Sequence, residues 1–256
     1  MAGQIISFVN QKGGVGKTTT AVSVSAALGR VGQGVLLVDL DPQANATSAA
    51  GAEEITGPSI YEALMETARP ADCVVHLEDE QFDLFPATPE LAGAEVELVP
   101  AIAREQRLKG VLAPFVDSYD WIFIDCPPSL GVLTVNALTA SESVIIPVQC
   151  EYLPLEGLTR LMQTLELVRR SLNPELRVLG LVLTMFDRRT RLAQQVVADV
   201  ISHFPETFDT LIPRAVSLSE APSHGQSIIR YSPESRAAVA YRRLADELLE
   251  RVGVPA

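Results

Sequence analysis

Two lysines frame a glycine-rich stretch near the start of the chain, NQKGGVGKTTT at residues 10–20. Residues of these types suit the binding of phosphate groups. The common phosphate-binding loop reads Gly, four residues, Gly-Lys-Ser/Thr. Counted back from Gly16-Lys17-Thr18, the first glycine falls at position 11, which is Gln11, and the extra lysine, Lys12, follows it. The physical requirements are nevertheless met. Gly13, Gly14 and Gly16, with Val15 among them, let backbone N–H groups turn toward an anion. Lys17 can reach the β- and γ-phosphates of a nucleotide, and the Thr18 hydroxyl can ligate Mg2+.

Three aspartates could complete such a site. Asp39 and Asp41 close the apolar run VLLVDL (35–40), and Asp125 closes WIFID (121–125). In a parallel sheet ligands bind at the carboxyl ends of the strands. An aspartate after an apolar strand can hold Mg2+ directly or through water. Any one alone reads equally well as a turn or cap residue. Three of them, together with the loop, favour a metal–nucleotide site.

The elements that must position these residues follow from the apolar pattern. Ile5–Val9 is a short strand, and Lys17–Val31 suits a helix, with Ala21, Val24, Ala27, Leu28 and Val31 at helical spacing. Strands are also expected at 35–40, 82–87, 121–125, 143–149 and 177–186. Helices are expected near 59–67, 101–113, 132–140, 155–171, 191–203 and 233–252. Residues 50–58 and 213–234 read as the longest loops. Strands without polar alternation are covered on both faces. The expected fold is therefore α/β: a single P-loop NTPase-type domain, its mostly parallel twisted sheet flanked by helices on both faces.

Composition narrows the function. The chain has 256 residues, 47% of them hydrophobic, and a net charge of −12. Residues 1–168 hold 8 basic and 22 acidic side chains, whereas residues 169–256 hold 12 and 10, and all twelve of those basic residues are arginines. Cys73, Cys126 and Cys150 are scattered, which points to a reducing compartment and away from a disulfide frame. Neither they nor His76, His203 and His224 show metal-ligand spacing. No signal peptide and no membrane-spanning stretch are expected.

Lys12-Gly-Gly-Val-Gly-Lys17-Thr18-Thr19 resembles the deviant Walker A motif. Together with LLVDLDPQANAT (36–47), FIDCPPSLG (123–131), PVQCEYLPLEGL (147–158) and SEAPSHGQSI (219–228), it makes nearly the whole chain similar to the ParA/Soj family of chromosome and plasmid partition ATPases. The resemblance implies an ATP- and Mg2+-dependent ATPase that forms a homodimer around sandwiched ATP. It also implies binding to double-stranded DNA without sequence preference, and slow hydrolysis stimulated by a ParB-like centromere-binding protein. It gives Lys12 the phosphates of the partner subunit, Asp41 the attacking water, Asp39 a place near the metal, and Asp125 the γ-phosphate and Mg2+. It gives Thr19 the α-phosphate, and places Thr184, Met185, Phe186 and Pro213 beside the adenine. The local candidates for DNA contact are Arg188, Arg189, Arg191, Arg214, Arg230, Arg242 and Arg243, although surface ion pairing is the competing reading for each. The implied location is cytoplasmic, on the nucleoid. With nine residues ahead of Asn10 there is no room for an N-terminal helix-turn-helix, so operator binding is not expected.

Two alternatives share the motif set. One is an ATPase that positions a protein cargo on the nucleoid, with the same chemistry. The other is a MinD-like ATPase, which binds membrane through a terminal amphipathic helix. Here the last helix carries Ala237, Tyr241, Leu244 and Leu248 on one stripe and lacks a terminal aromatic and lysine cluster, so core packing and no stable membrane association are expected. An electron-transfer role like that of the nitrogenase iron protein is disfavoured, because no cysteine pair stands out as cluster ligands.

Overall fold

A computed structural model describes residues 3–54, 56–151 and 155–253; the side chains of residues 155 and 156 fall outside that description, as do residues 152–154 of the PVQCEYLPLEGL stretch. The chain folds around one seven-stranded sheet in the order β3-β4-β2-β5-β1-β6-β7. The strands are β1 (Gln4–Phe8), β2 (Val35–Asp39), β3 (Val75–Leu77), β4 (Phe82–Phe85), β5 (Trp121–Asp125), β6 (Ser143–Gln149) and β7 (Arg177–Thr184). All neighbours pair in parallel except β3, an antiparallel edge strand on β4.

Side-chain alternation along the central strands builds a core on each face of the sheet. Ile6 and Phe8 of β1 pack on one side with α1 (Lys17–Gly29) and α11 (Arg236–Val252). Ile5 faces the other side, where α3 (Ile60–Leu64), α4 (Leu91–Glu97), α5 (Arg107–Leu112), α6 (Val132–Ala140), α7 (Leu155–Ser171) and α8 (Arg191–His203) contribute buried residues. Helix α1 lies against both the sheet and α11 and is buried almost all round. Its run of Ala, Ser and Thr suits that place, since small side chains allow close approach of helix and sheet.

Most of the strands and the longer helices fall where the apolar pattern put them, with several corrections. Helix α1 stops at Gly29, not Val31. Gly32 takes a left-handed φ of 85° in the turn that follows, and Val31 is 62% exposed. Strand β7 ends at Thr184, because Met185 is left-handed (φ 54°) and leaves the sheet. The helix expected at 101–113 is broken: Ala103 is left-handed, a 3-10 turn spans Arg104–Gln106, and only Arg107–Leu112 is α-helical. Residues 213–234 are not one loop but hold α9 (Ser217–Glu220), a 3-10 turn (Ala221–His224) and α10 (Ile228–Tyr231). The pattern also misses β3, α4 and α2 (Asn45–Ala49), which are too short to show a period.

Candidate nucleotide and metal site

The phosphate loop joins β1 to α1 at the carboxyl edge of the sheet. Gly14 and Gly16 have φ of 71° and 89°, a region that only glycine enters freely. A Cβ at Gly13 or Gly14 would meet nothing within 4 Å, so open space borders the backbone that would face a phosphate. Gly16 caps α1 without a side-chain hydrogen bond, and no acidic residue lies in the first turn. The unpaired N–H groups and positive end of that helix are left for an anion. Lys17 begins α1 and is only 7% exposed. Among the described residues it makes no ion pair. A buried ammonium of this kind is a strong recruiter of negative charge.

The loop is held from below by residues that the motif does not announce. The Asn10 amide donates to the Pro147 carbonyl at 2.7 Å and accepts from the Lys12 N–H at 3.0 Å. Thr184 is buried, and its hydroxyl donates to the Val15 carbonyl at 2.8 Å. Thr184 therefore supports the loop's floor. Lys12 itself is exposed at the lip, its ammonium donating to Gln149 Oε1 at 3.1 Å. Gln11 leaves a buried side-chain N–H group without a partner.

The carboxylates converge because β2, β5 and β1 are adjacent. Asp39 pairs in register with Asp125, and Asp125 with Phe8 at the end of β1. Asp39 and Asp125 are fully buried, and Asp41 nearly so. Asp125 Oδ2 accepts from the Thr18 hydroxyl at 2.6 Å, while Oδ1 is buried without a partner. Burial pushes the Asp125 carboxyl up to about 8, with the charge of Asp39 adding to the rise and the Thr18 bond and Lys17 opposing it. Asp39 is raised by burial to about 6, against the pull of hydrogen bonds from Thr47 and Asp41. Both of its oxygens are engaged, Oδ1 by the Asp41 N–H at 3.1 Å and Oδ2 by Thr47. Asp41 Oδ1 accepts from the Gln43 N–H at 3.0 Å, a tight turn that runs through left-handed Ala44 (φ 52°) into α2.

This donor set fits a hard divalent cation. A half-satisfied buried carboxylate beside a hydroxyl, with a second carboxylate alongside, is short of positive charge. Among the described residues, no three His, Cys, Asp or Glu side chains are arranged to hold a metal by themselves. Mg2+ characteristically keeps waters and nucleotide phosphates among its ligands.

The remaining expected residues divide into groups. Thr19 is half-buried in the first turn of α1. Phe186 and Pro213, distant in sequence, form a β-bridge, with the Phe186 N–H donating to the Ile212 carbonyl at 2.9 Å. Met185 adjoins them. Of the arginines, Arg188, Arg189 and Arg191 follow β7, and Arg214 joins them because its N–H donates to the Phe186 carbonyl. Arg230 lies on α10, and Arg242 and Arg243 on α11. Three of the seven are in exposed ion pairs: Arg189 with Asp187, Arg214 with Glu151 at 3.1 Å, and Arg230 with Asp79. Among the described residues, Arg188, Arg191, Arg242 and Arg243 have no side-chain partner. On α11, Ala237, Tyr241, Leu244 and Leu248 are all buried in the core. No helix among the described residues is long and apolar enough to cross a membrane.

The chain is similar to several known proteins. A protein-family model described as an AAA domain matches residues 3–178. The sporulation initiation inhibitor protein Soj of Bacillus subtilis is 53% identical over 248 residues, covering 96% of this chain and 98% of that protein. The chromosome partitioning protein ParA of Myxococcus xanthus is 50% identical over 253 residues, covering 97% and 89%. Among solved structures, a cobyrinic acid a,c-diamide synthase of Mycobacterium smegmatis, with bound ATP analogue and magnesium, superposes with a TM-score of 0.85 at 38% identity, covering 98% of this chain and 96% of that one.

Proposed function

The chain belongs to the ParA/Soj family of chromosome-partitioning ATPases, and from that premise we propose that ATP draws two copies into a sandwich dimer that holds duplex DNA without sequence preference until hydrolysis releases it. It is a partition-type ATPase that uses ATP and Mg2+. The observation that carries the dimer reading is the split between the two lysines of one loop. Lys17 is buried at the head of α1, whereas Lys12 stands exposed at the rim, where its ammonium donates to Gln149. A charge placed there is available to phosphates bound across an interface, where it would offset their mutual repulsion.

Within one protomer, the loop N–H groups, Lys17 and Thr19 bind and orient the phosphates. Mg2+, when bound, supplies positive charge to the phosphate oxygens, and Thr18, Asp125 and, at one remove, Asp39 are the residues that would hold it. Asp41 orients the attacking water. Phe186 and Pro213, with Met185, flank the adenine. A ParB-like protein is the partner that stimulates hydrolysis.

For DNA, Arg188, Arg191, Arg242 and Arg243, which have no side-chain partner among the described residues, are the first candidates, with Arg189, Arg214 and Arg230 able to exchange weak surface ion pairs for phosphates. Dimerisation doubles this basic surface on a protein whose net charge is −12, and so makes retention on DNA depend on ATP.

The test is binding to a random-sequence duplex across a salt series with ATP, with ADP and without nucleotide, with liposomes in parallel. Binding only with ATP, weakening steeply with salt, is the expected result. ATP-dependent liposome binding without DNA binding would replace this reading with a membrane-associated one. The hydrolytic role is tested by Asp41→Ala, which should still dimerise on ATP and yet not turn over. Full turnover in that variant would remove Asp41 from the mechanism.

A further inference from the structure

The motif LLVDLDPQANAT ends in a threonine that, among the described residues, hydrogen-bonds neither the phosphate loop nor its lysines. Thr47 is 5% exposed and lies on α2, eight residues beyond Asp39. Its backbone N–H and its hydroxyl both donate to Asp39 Oδ2, each at 2.8 Å. The same hydroxyl accepts from the Ala87 N–H, just past the end of β4, at 3.0 Å. One side chain thus ties the ends of β2 and β4 to α2. Asp39 passes the constraint on, because its other oxygen accepts from the Asp41 N–H.

From this chain of hydrogen bonds we infer that Thr47 is a positioning residue for ATP hydrolysis: through Asp39 it sets where the Asp41 backbone, and so the Asp41 carboxylate, sits. The inference rests on the reading of Asp41 as the group that orients water. Three features support it. The Thr47 hydroxyl has a strand-end acceptor and donor on either side, so it has no freedom to rotate. The backbone between Asp41 and α2 turns through left-handed Ala44, an unfavourable conformation for alanine that a clamp must maintain. Lastly, Thr47 reaches the site through the Asp39 carboxylate and not through the phosphate loop, so its effect is expected on turnover more than on nucleotide affinity.

The experiment compares Thr47→Val and Thr47→Ser in the full chain for steady-state ATPase, ATP affinity and thermal stability. Thr47→Val should lower kcat on the order of 10-fold to 100-fold, the scale on which catalytic groups misplaced by about an ångström lose rate. KM for ATP should stay within about two-fold, because the phosphate-binding groups are untouched. Thr47→Ser, which keeps the hydroxyl, should retain kcat within about three-fold. If Thr47→Val does not fold, Thr47→Cys, whose thiol is a weaker donor, should show the same kcat-only loss. A wild-type kcat in the valine or cysteine variant would overturn the inference. So would a rise in KM matching the fall in kcat, or a serine variant as impaired as valine. Should Asp41→Ala be inactive while Thr47→Val is fully active, only this inference falls. Should Asp41→Ala turn over normally, the catalytic reading beneath it falls first.

Discussion

Asp39 and Asp125 are in-register neighbours on adjacent parallel strands, and both carboxyl groups are fully buried. Two such groups on neighbouring strands, which lie about 4.8 Å apart, repel one another once ionised. This arrangement costs stability in the nucleotide-free protein and is resolved when positive charge arrives. Asp125→Asn should therefore raise the thermal stability of the nucleotide-free form by about 1 kcal/mol or more. It should also lower ATP turnover on the order of 100-fold. Thermal melts with and without Mg-ATP check both parts, since the variant should lose most of the ligand-induced shift. A variant less stable than the parent would show that Asp125 contributes to folding beyond its role as a charge.

The two loop lysines should separate cleanly. Lys17→Ala is expected to abolish nucleotide binding. Among the described residues, Lys12→Ala breaks one exposed side-chain hydrogen bond, to Gln149, so stability should change by less than about 0.5 kcal/mol. ATP binding by the monomer should survive while ATP-dependent dimerisation is lost. Nucleotide titration with sizing by light scattering would show this. A Lys12→Ala protein that still dimerises would place the second lysine outside the interface.

The arginines should differ according to their pairing. Replacing Arg188 and Arg191 with alanine removes two charges beside β7 that have no partner among the described residues. ATP-dependent DNA binding should weaken on all sequences alike, and the salt slope should fall by about one for each DNA phosphate no longer neutralised. Arg189→Ala should have a smaller effect, because its pairing with Asp187 competes with phosphate. Asp187 is held at about 2 by that arginine, and therefore stays ionised at any working pH. Equal slopes in parent and double variant would move the DNA surface elsewhere.

Helix α11 distinguishes the partition reading from a membrane-binding one. Leu244 is buried in the core beside α1. Leu244→Ala should cost about 2–5 kcal/mol of unfolding free energy. A terminal helix whose apolar stripe served lipid would instead tolerate the change. Denaturant unfolding decides between the two.

Sequence alone determined the chemistry that depends on neighbours along the chain. The loop is legible because its glycines, lysine and threonine must be contiguous to surround a phosphate. The central strands are legible because a buried parallel strand is apolar throughout, and WIFID and SVIIPVQ fall on β5 and β6 residue for residue. Helices α6, α7 and α8 have their expected bounds, since each is long enough to show a helical repeat or clear end signals. The order of strands was another matter. Parallel pairing joins segments far apart in sequence, and only the folded sheet puts Asp125 between Asp39 and the end of β1. The same holds for the Thr47 hydrogen bond to Ala87, for the bridge between Phe186 and Pro213, and for Gln149 beneath Lys12. None of these pairs has a local spacing to betray it. Each is a long-range pairing whose geometry is set by crossovers and register, so it exists only once the sheet has formed.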